Sequence, residues 1–344
     1  MDIRTLRPDE LDKWLDFCLF VFGNGIIDPD YRHYFEKHFK NDPQATYDGI
    51  FVAVDNKVGN GDNKVDNGDN KVDNIANLDN NEKFVSTVRV FIRRIFICGK
   101  SISMGGIGEV CTHPDYRRQG LSFSLLNKAI EFMKKQNLNV SVLFTGNHAH
   151  YEKHDYQKLA YPMLTFKVTA SPSYNYSMKK ADFNNDLHII QTIYEKTASR
   201  FSCVLDRFED SYWKKWVSDE LKEAHLIFDG PTPIAYFTPS VNKENKIISF
   251  KEFVCLPKIF DDVFLKTTAY LAYLNDMDTV EVTHAPNIGK LSETAVKQDL
   301  NSGLMIKLIT PFDIEGFNIK TTNELVTVMN KSNYPVWYYH TDGF

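Results

Sequence analysis

The chain has 344 residues, a formal net charge of −5 at pH 7 and five scattered cysteines. The length predicts about two domains, and the mildly acidic balance argues against binding along a nucleic acid. The cysteines form no C-x-x-C pair and no apolar run could span a bilayer, so we expect no zinc site, disulfide framework or membrane segment. The first residues lack an apolar signal core, which makes a reducing, cytoplasmic location the default expectation.

The first half of the chain alternates strands and helices. Apolar residues recur at helical spacing in some segments, whereas β-branched residues cluster in others that end in turn-forming residues. The sequence predicts, in chain order, a strand at 2–6, a helix at 8–22, a helix within 30–39, a strand at 49–54, one long strand or two at 84–97, a bridge at 100–104, a strand at 107–112, a helix at 121–136 and a strand at 139–145.

Residues 55–82 form a low-complexity stretch in which Asp-Asn-Lys-Val recurs every seven residues, from positions 55, 62 and 69. Each unit has a single apolar residue, whereas a coiled coil needs two per seven. Lys64 and Lys71 stand where a calcium loop needs oxygen ligands. We therefore predict a disordered insertion between two strands.

A basic turn that contains a glycine connects the strand at 107–112 to the helix at 121–136. Backbone N–H groups at a helix start, together with the helix dipole, bind phosphate oxygens. Arg117 and Arg118 add positive charge, and Gly120 lets the backbone approach a ligand without a Cβ. The turn predicts an anion site, and the alternative is a basic surface turn that caps an ordinary helix.

The second half repeats the strand–helix–strand order of the first. Its turn at 254–261 contains neither arginine nor glycine, so we expect a degenerate copy that cannot hold a pyrophosphate. The predicted elements are helices at 187–199 and 209–222, strands at 225–228, 234–237 and 247–255, a helix at 261–274, strands at 279–283 and 304–309, and a helix at 322–329.

The spacing Arg117-x-x-Gly120-x-Ser122 resembles the Arg/Gln-x-x-Gly-x-Gly/Ala signature of the GNAT N-acetyltransferases, which binds the pyrophosphate of acetyl-CoA. Ser122 stands where the family has Gly or Ala. The resemblance implies the GNAT fold, an α+β fold with a mixed, mostly antiparallel sheet flanked by helices, and acetyl-CoA as co-substrate. It implies a cofactor-binding set of Val110, Cys111, Thr112, Arg117, Arg118, Gln119, Gly120, Leu121, Ser122 and Asn147. Backbone N–H groups at Val110 or Thr112 would polarise the thioester carbonyl.

Tyr151 follows the strand at 139–145 at the offset where the GNAT pattern has a tyrosine beside the CoA sulfur. The resemblance implies that Tyr151 protonates the departing thiolate, and the alternative is that it only packs against the cofactor. A phenol has a pKa of about 10 and a thiol of about 8.5, so the transfer is uphill by roughly 2 kcal/mol. We expect Tyr156 to be a core residue. The nearby His148, His150 and His154 lack a carboxylate at ligand spacing, so we expect no metal.

The chain also resembles the Eis-type (enhanced intracellular survival) acetyltransferases, which pair an active GNAT domain with a degenerate one. The two-unit order, the basic turn, Tyr151 and the run Asp206-Arg207-Phe-x-x-x-Tyr212-Trp213 carry this resemblance. It implies that the carboxylate of a terminal phenylalanine, here Phe344, acts as the base. Glu109 on the cofactor strand is the alternative, either as base or as a group that attracts a cationic amine.

The expected function is acetyl-CoA-dependent N-acetylation of a primary amine, by direct attack through a tetrahedral intermediate. The acceptor could be a polyamine, an amino sugar or a lysine side chain. A non-catalytic CoA-binding sensor or scaffold is the alternative. We expect no metal, nucleic-acid or membrane partner. A homo-oligomer is possible. The predicted domains are an active GNAT domain at 1–168, a degenerate unit at 169–312 and a C-terminal segment at 313–344 that packs toward the active site.

Overall fold

The computed structural model describes residues 1–26, 29–56, 82–282, 295–301 and 303–343. Apart from its two ends, the predicted insertion at 55–82 lies outside the described residues, and so does Phe344. Of the helices that the structure describes, none combines the length and the apolar character that a bilayer span needs.

The first half of the chain has the predicted order of elements. Pro8–Glu10 forms a short 3-10 turn rather than the start of the first helix. The elements are β1 (Asp2–Thr5), α1 (Leu11–Phe22), α2 (Pro29–Lys40), β2 (Ile50–Asp55), β3 (Lys83–Ile97), β4 (Lys100–Thr112), α3 (Leu121–Lys135), β5 (Val140–Phe144), α4 (His148–Glu152) and β6 (Gln157–Lys158).

The second half contains more short elements than the sequence predicts. The helix expected at 209–222 is interrupted by a π-helical turn, Trp213–Val217. The elements are β7 (Tyr161–Lys167), β8 (Ser177–Lys180), α5 (Leu187–Ala198), α6 (Asp210–Tyr212), α7 (Ser218–Glu220), β9 (His225–Asp229), β10 (Thr232–Asn242), β11 (Ile247–Cys255), α8 (Phe260–Asn275), β12 (Thr279–Val282), β13 (Lys297–Asn301), β14 (Leu304–Leu308), β15 (Phe312–Ile314), β16 (Phe317–Ile319) and α9 (Thr322–Lys331).

Residues 100–104 are part of β4 and not a separate bridge, because β3 and β4 form one long hairpin. The two strands pair from Ile97↔Lys100 to Ser86↔Thr112. Cys98 and Gly99 make the connecting turn with φ of +48° and +78°. Positive φ at both central residues matches the twist of the flanking strands, which is the geometry that two-residue hairpins favour.

Helices cover both faces of the first sheet. Alternate residues of β2 point to opposite faces, as in any strand: Ile50 and Val52 pack in the cluster of α1, and Phe51 packs in the cluster of α3. α3 lies very close to β4, because a Cβ on Gly105 would collide with the Met133 side chain. This close contact holds the C-terminal half of α3 against the first half of β4.

The two large sheets exchange strands. The first has the order β1-β2-β3-β4-β5-β14-β6, and the second has the order β13-β7-β12-β11-β10-β9-β8. β14, from the end of the chain, therefore lies between β5 and β6, while β7 lies between β12 and β13. One hydrophobic cluster runs through both sheets and includes Phe91, Val142, Phe237 and Ile306.

In the described part of the chain, each sheet contains one parallel pair of strands. β4 and β5 pair at Met104↔Val140, Gly105↔Ser141 and Gly106↔Val142, and beyond these pairs β4 continues to Thr112 without pairing with β5. We call this separation of the two strands the first opening. β11 and β12 pair from Ile247↔Thr279 to Ser249↔Glu281 among the described residues, and β11 continues to Cys255.

Candidate active site

The turn between β4 and α3 leaves a helix start without a side-chain cap. A 3-10 turn, Pro114–Tyr116, follows β4, and then Arg118 and Gly120 adopt φ of +62° and +77°. Gly120 is the residue before α3, no side chain caps the helix, and its first turn contains no acidic residue. Because the first N–H groups of a helix have no partner within the helix, this end is suited to an anion.

The charges and the space around this turn favour the same ligand. Arg117 and Arg118 are exposed, and Arg117 Nε donates to the Thr112 carbonyl at 3.3 Å. Arg118 makes no ion pair or side-chain hydrogen bond with the part of the chain that the structure describes. No atom lies within 4 Å of the position of a Cβ on Gly120. Glycine is therefore required here for its φ, and the space beside it is open.

The other residues expected to bind the cofactor surround this turn. Gln119 and Asn147 are exposed, Val110 and Thr112 are half-buried, and Leu121 packs into the α3 cluster. Cys111 is buried next to Cys18, whose pKa is raised by burial and then by the Cys111 thiol. Ser122 Oγ lies 3.4 Å from His150 Nε2. This contact joins the start of α3 to α4, where Tyr151 is the next residue.

Tyr151 is a buried phenol whose hydroxyl has no hydrogen-bond partner among the described residues. Its side chain is 8% exposed, and its ring packs edge-on against His150 and Tyr156. Burial raises the pKa of Tyr151 to about 12. Tyr156 differs, because its hydroxyl lies 2.7 Å from Ser141 Oγ, which in turn donates to the Gly105 carbonyl at 2.7 Å. The structure thus places Tyr156 in the core and leaves the hydroxyl of Tyr151 available.

Glu109 lies in a β-bulge that sequence reasoning did not predict. The β3–β4 register passes from Thr87↔Cys111 to Arg89↔Gly108, so that Glu109 and Val110 oppose the single Val88. Glu109 has φ of +52°, a strained value for a residue with a Cβ. No local pattern of residue types predicts such a bulge, because it depends on the register between two strands.

The Glu109 carboxylate is paired on one oxygen only. Its Oε1 accepts from Arg89 Nη1 at 3.3 Å, and its Oε2 is buried with no partner among the described residues. Burial raises the pKa of Glu109, and the Arg89 charge opposes this shift. Arg89 also pairs with Asp42 at 3.1 Å, and Asp42 pairs with Arg93 at 2.9 Å. The two arginines and two carboxylates make a buried, charge-balanced cluster beside the first opening.

Comparison with known protein families identifies the first unit. A family model described as acetyltransferase (GNAT) domain matches residues 2–159. Residues 2–159 are a GNAT acetyltransferase domain. The prediction of a GNAT domain with an α+β fold is confirmed for these residues, and this domain supports an acyltransferase.

Solved structures share the fold of the GNAT domain and of the second unit together. A GCN5-related N-acetyltransferase from Kribbella flavida aligns with a TM-score of 0.65 at 17% identity, over 89% of this chain and 71% of that one. Eis1 from Mycobacterium abscessus aligns with a TM-score of 0.56 at 12% identity, over 90% of this chain and 73% of that one. N-myristoyltransferase from Saccharomyces cerevisiae aligns with a TM-score of 0.54 at 11% identity, over 97% of this chain and 88% of that one. At these identities the likeness is one of fold. No curated protein sequence matches the chain.

The C-terminal tail packs against the GNAT domain. Trp337, Tyr338 and Tyr339 are each 4% exposed, and the Tyr338 ring lies 4.3 Å from the ring of Phe144, at the end of β5. Tyr338 therefore lies at the end of β5, one of the two strands that border the first opening. Phe344, the residue expected to supply the base, lies outside the described residues.

A buried ion-pair network that the sequence did not predict holds this tail. Arg207 Nε donates to Asp342 at 2.8 Å, and Arg207 Nη2 donates to Glu252 at 2.8 Å. All three side chains are fully buried. Burial raises the pKa of Asp342 to about 6, Arg207 opposes the shift, and Glu252 adds to it. The sequence carries no local signal for this network, because Arg207 and Asp342 are 135 residues apart.

The turn of the second unit lacks the features of the GNAT turn. A 3-10 turn, Pro257–Ile259, leads into α8, and the first helical turn carries Asp261 and Asp262. Carboxylates in the first turn of a helix interact with its positive end and repel a phosphate there. Among the described residues, no cluster of His, Cys, Asp or Glu has the arrangement of a metal site.

Proposed function

We propose that the chain transfers the acetyl group of acetyl-CoA to a primary amine. The observation that carries this proposal is the uncapped start of α3, with Gly120 in the left-handed region and Arg118 without an acidic partner, next to the first opening. The turn suits a pyrophosphate, because it supplies free N–H donors, positive charge and open space at one place. Acetyl-CoA, when bound, supplies a thioester as acyl donor.

The residues around the turn divide into two roles. The N–H groups at the start of α3 and the guanidinium groups of Arg117 and Arg118 would hold the pyrophosphate. Val110 and Thr112 lie beyond the last β4–β5 pair, where the edge of β4 is not paired with β5. Their backbone N–H groups would polarise the acyl carbonyl, which favours charge development on its oxygen.

Tyr151 would donate the proton that the departing thiolate needs. With a pKa of about 12 the phenol stays protonated at any physiological pH. Transfer to a thiolate of pKa about 8.5 is uphill by about 5 kcal/mol in isolation. The hydroxyl would therefore donate a hydrogen bond to the sulfur, and would give up its proton only as negative charge develops there during breakage of the carbon–sulfur bond. The available hydroxyl of Tyr151 supports this role.

Glu109 would take the proton from the amine. A carboxylate whose pKa is raised by burial is a stronger base than an exposed one, and its unpaired Oε2 can accept a hydrogen bond. The pair with Arg89 holds the other oxygen in place. Because Glu109 is on β4 and Tyr151 follows β5, the two groups come from the two strands that border the first opening.

The proposal is tested by incubating the protein with acetyl-CoA and a panel of amines and following the release of free thiol with a thiol reagent. The panel contains a polyamine, an amino sugar and a lysine peptide, and we expect thiol release above the hydrolysis rate with at least one class. The five cysteines of the protein are buried, so the background of protein thiols is low. Tight binding of acetyl-CoA without thiol release for any amine would instead indicate a non-catalytic CoA-binding protein.

A further inference from the structure

We propose that the second unit binds an amphipathic carboxylate, with one anionic head and an apolar body, in a cavity separate from the acetyl-CoA site. A cavity of about 830 Å³ lies at the end of β11 and beside the turn that leads into α8. We call it the second cavity. Its volume is in the range of small-molecule sites, which is about 300–1,000 Å³.

The second cavity occupies the place in its unit that the β4–α3 segment occupies in the first. Phe253, Val254 and Cys255, which line it, lie on β11 beyond the last pair with β12 that the structure describes. The end of α5 and the C-terminal tail form the other walls. The second unit has thus lost the phosphate-binding turn but keeps space at the corresponding end of its strand.

The walls of the second cavity are mainly apolar. Phe201, Phe253 and Phe260 contribute aromatic rings, and Tyr334 and Tyr339 close the side formed by the tail. The Phe253 and Phe260 rings pack edge-on at 5.7 Å, so this wall is already ordered. Phe201 and Phe260 are half-buried, so an apolar body would cover the exposed parts of their rings.

Two unpaired cations determine the charge of the head group. Arg200 and Lys258 line the second cavity, both are exposed, and neither has an acidic partner within the described ranges of the chain. Two acids also line the second cavity. Asp262 is paired with Lys266 at 2.9 Å and with the Tyr176 hydroxyl, so Asp261 is the acid that can offset the two cations. Two positive charges and one negative charge leave a net charge of one positive unit. It fits one carboxylate, whereas the many negative charges of CoA would meet Asp261 and Asp262 at the start of α8.

Calorimetry with dodecanoate on the full chain tests the inference, at concentrations below its micelle threshold. We expect one equivalent to bind, and binding to persist in saturating CoA, because the two sites are separate. Dodecylamine, which has the same tail and the opposite charge, should bind at least about tenfold more weakly, as expected when a charge-assisted contact is replaced by repulsion. Displacement of dodecanoate by CoA, or absence of binding, would overturn the proposal.

Variants of the two cations locate the site. Arg200→Met and Lys258→Met should each weaken dodecanoate binding by about tenfold and leave CoA binding unchanged. Both side chains are exposed, so folding should not change. Lys196→Met is the matched control, because Lys196 is an exposed cation on α5 that does not line the second cavity. Equal affinity in all three variants would place the ligand elsewhere and contradict the assignment. This outcome is independent of the acetyl-transfer assay.

Discussion

At the scale of single residues, the hydroxyl of Tyr151 is the group whose removal tests the chemistry most directly. Tyr151→Phe keeps the buried ring and removes only the proton donor. We expect kcat to fall by about 10²-fold, the lower range for loss of a general acid, and the KM for acetyl-CoA to stay near the wild-type value. Steady-state thiol release measures both.

Tyr156→Phe is the matched control for Tyr151. It removes a hydroxyl that bonds to Ser141 inside the core. We expect a loss of about 1 kcal/mol in the free energy of unfolding, with kcat unchanged for the folded protein. If Tyr151→Phe retained full kcat, a packing role would replace the acid role.

Glu109 should set the acidic limb of the pH–rate profile. A base acts in its ionised form, and burial raises the pKa of Glu109, so kcat/KM should rise with pH through that raised pKa and then level off. Glu109→Gln should lower kcat/KM and remove this limb. The measurement is kcat/KM against pH for both proteins, and an unchanged acidic limb in the variant would exclude Glu109 as the base.

At the scale of elements, the tail is held by a carboxylate whose protonation depends on folding. The pKa of Asp342 is about 6 in the fold and about 3.9 in an unfolded chain. A raised pKa means that the folded protein favours the protonated form. The resulting stability is fully present below about pH 4 and is lost as pH rises through about 6.

Asp342→Asn should remove this dependence. The variant stays neutral at all pH values, and Arg207 keeps its pair with Glu252. Denaturant unfolding at pH 4 to 7 should show that the wild-type protein loses stability relative to Asp342→Asn over this interval. Asp229→Asn, at an exposed position, should follow the wild-type curve. Parallel curves for wild type and Asp342→Asn would contradict the raised pKa.

The turn before α3 can be tested separately from the fold. Gly120 and Gly230 both have positive φ, +77° and +56°, and both have open space where a Cβ would lie. Ala at either position should cost about 1 kcal/mol of folding stability. Only Gly120→Ala should also raise the KM for acetyl-CoA several-fold, because only that Cβ would stand at the start of α3. Equal KM values for the two variants would argue against a pyrophosphate at this turn.

The sequence alone predicts those features of the fold and the site that depend on residues close together along the chain. Helical spacing and a basic turn with a glycine suffice to predict α3 and the anion site at its start. The β-bulge at Glu109 depends on the register of β3 against β4. The Arg207–Asp342 pair joins positions that are 135 residues apart. Neither feature has a local signal, since the partner of a strand or of a buried charge is not encoded beside it.

At the scale of the whole molecule, the exchange of β7 and β14 makes the two sheets interdependent. Sequence order favours a boundary near residue 168, because consecutive strands usually pair with each other. β14 instead pairs along all of β5, from Leu304↔Phe144 to Leu308↔Val140. β7 pairs with β12 on one side and β13 on the other. Each half therefore supplies an internal strand to the sheet of the other half.

A chain divided after residue 168 tests this interdependence. Residues 1–168 lack β14, so β5 would expose an unpaired edge next to the first opening, and residues 169–344 lack β7. Exposed internal edges favour aggregation. We expect neither fragment alone to show a cooperative thermal transition, and the two co-expressed fragments to associate and recover acetyl-CoA binding, because all strands are then present. A fragment 1–168 that unfolds cooperatively and binds acetyl-CoA on its own would show that β14 is dispensable for the first sheet.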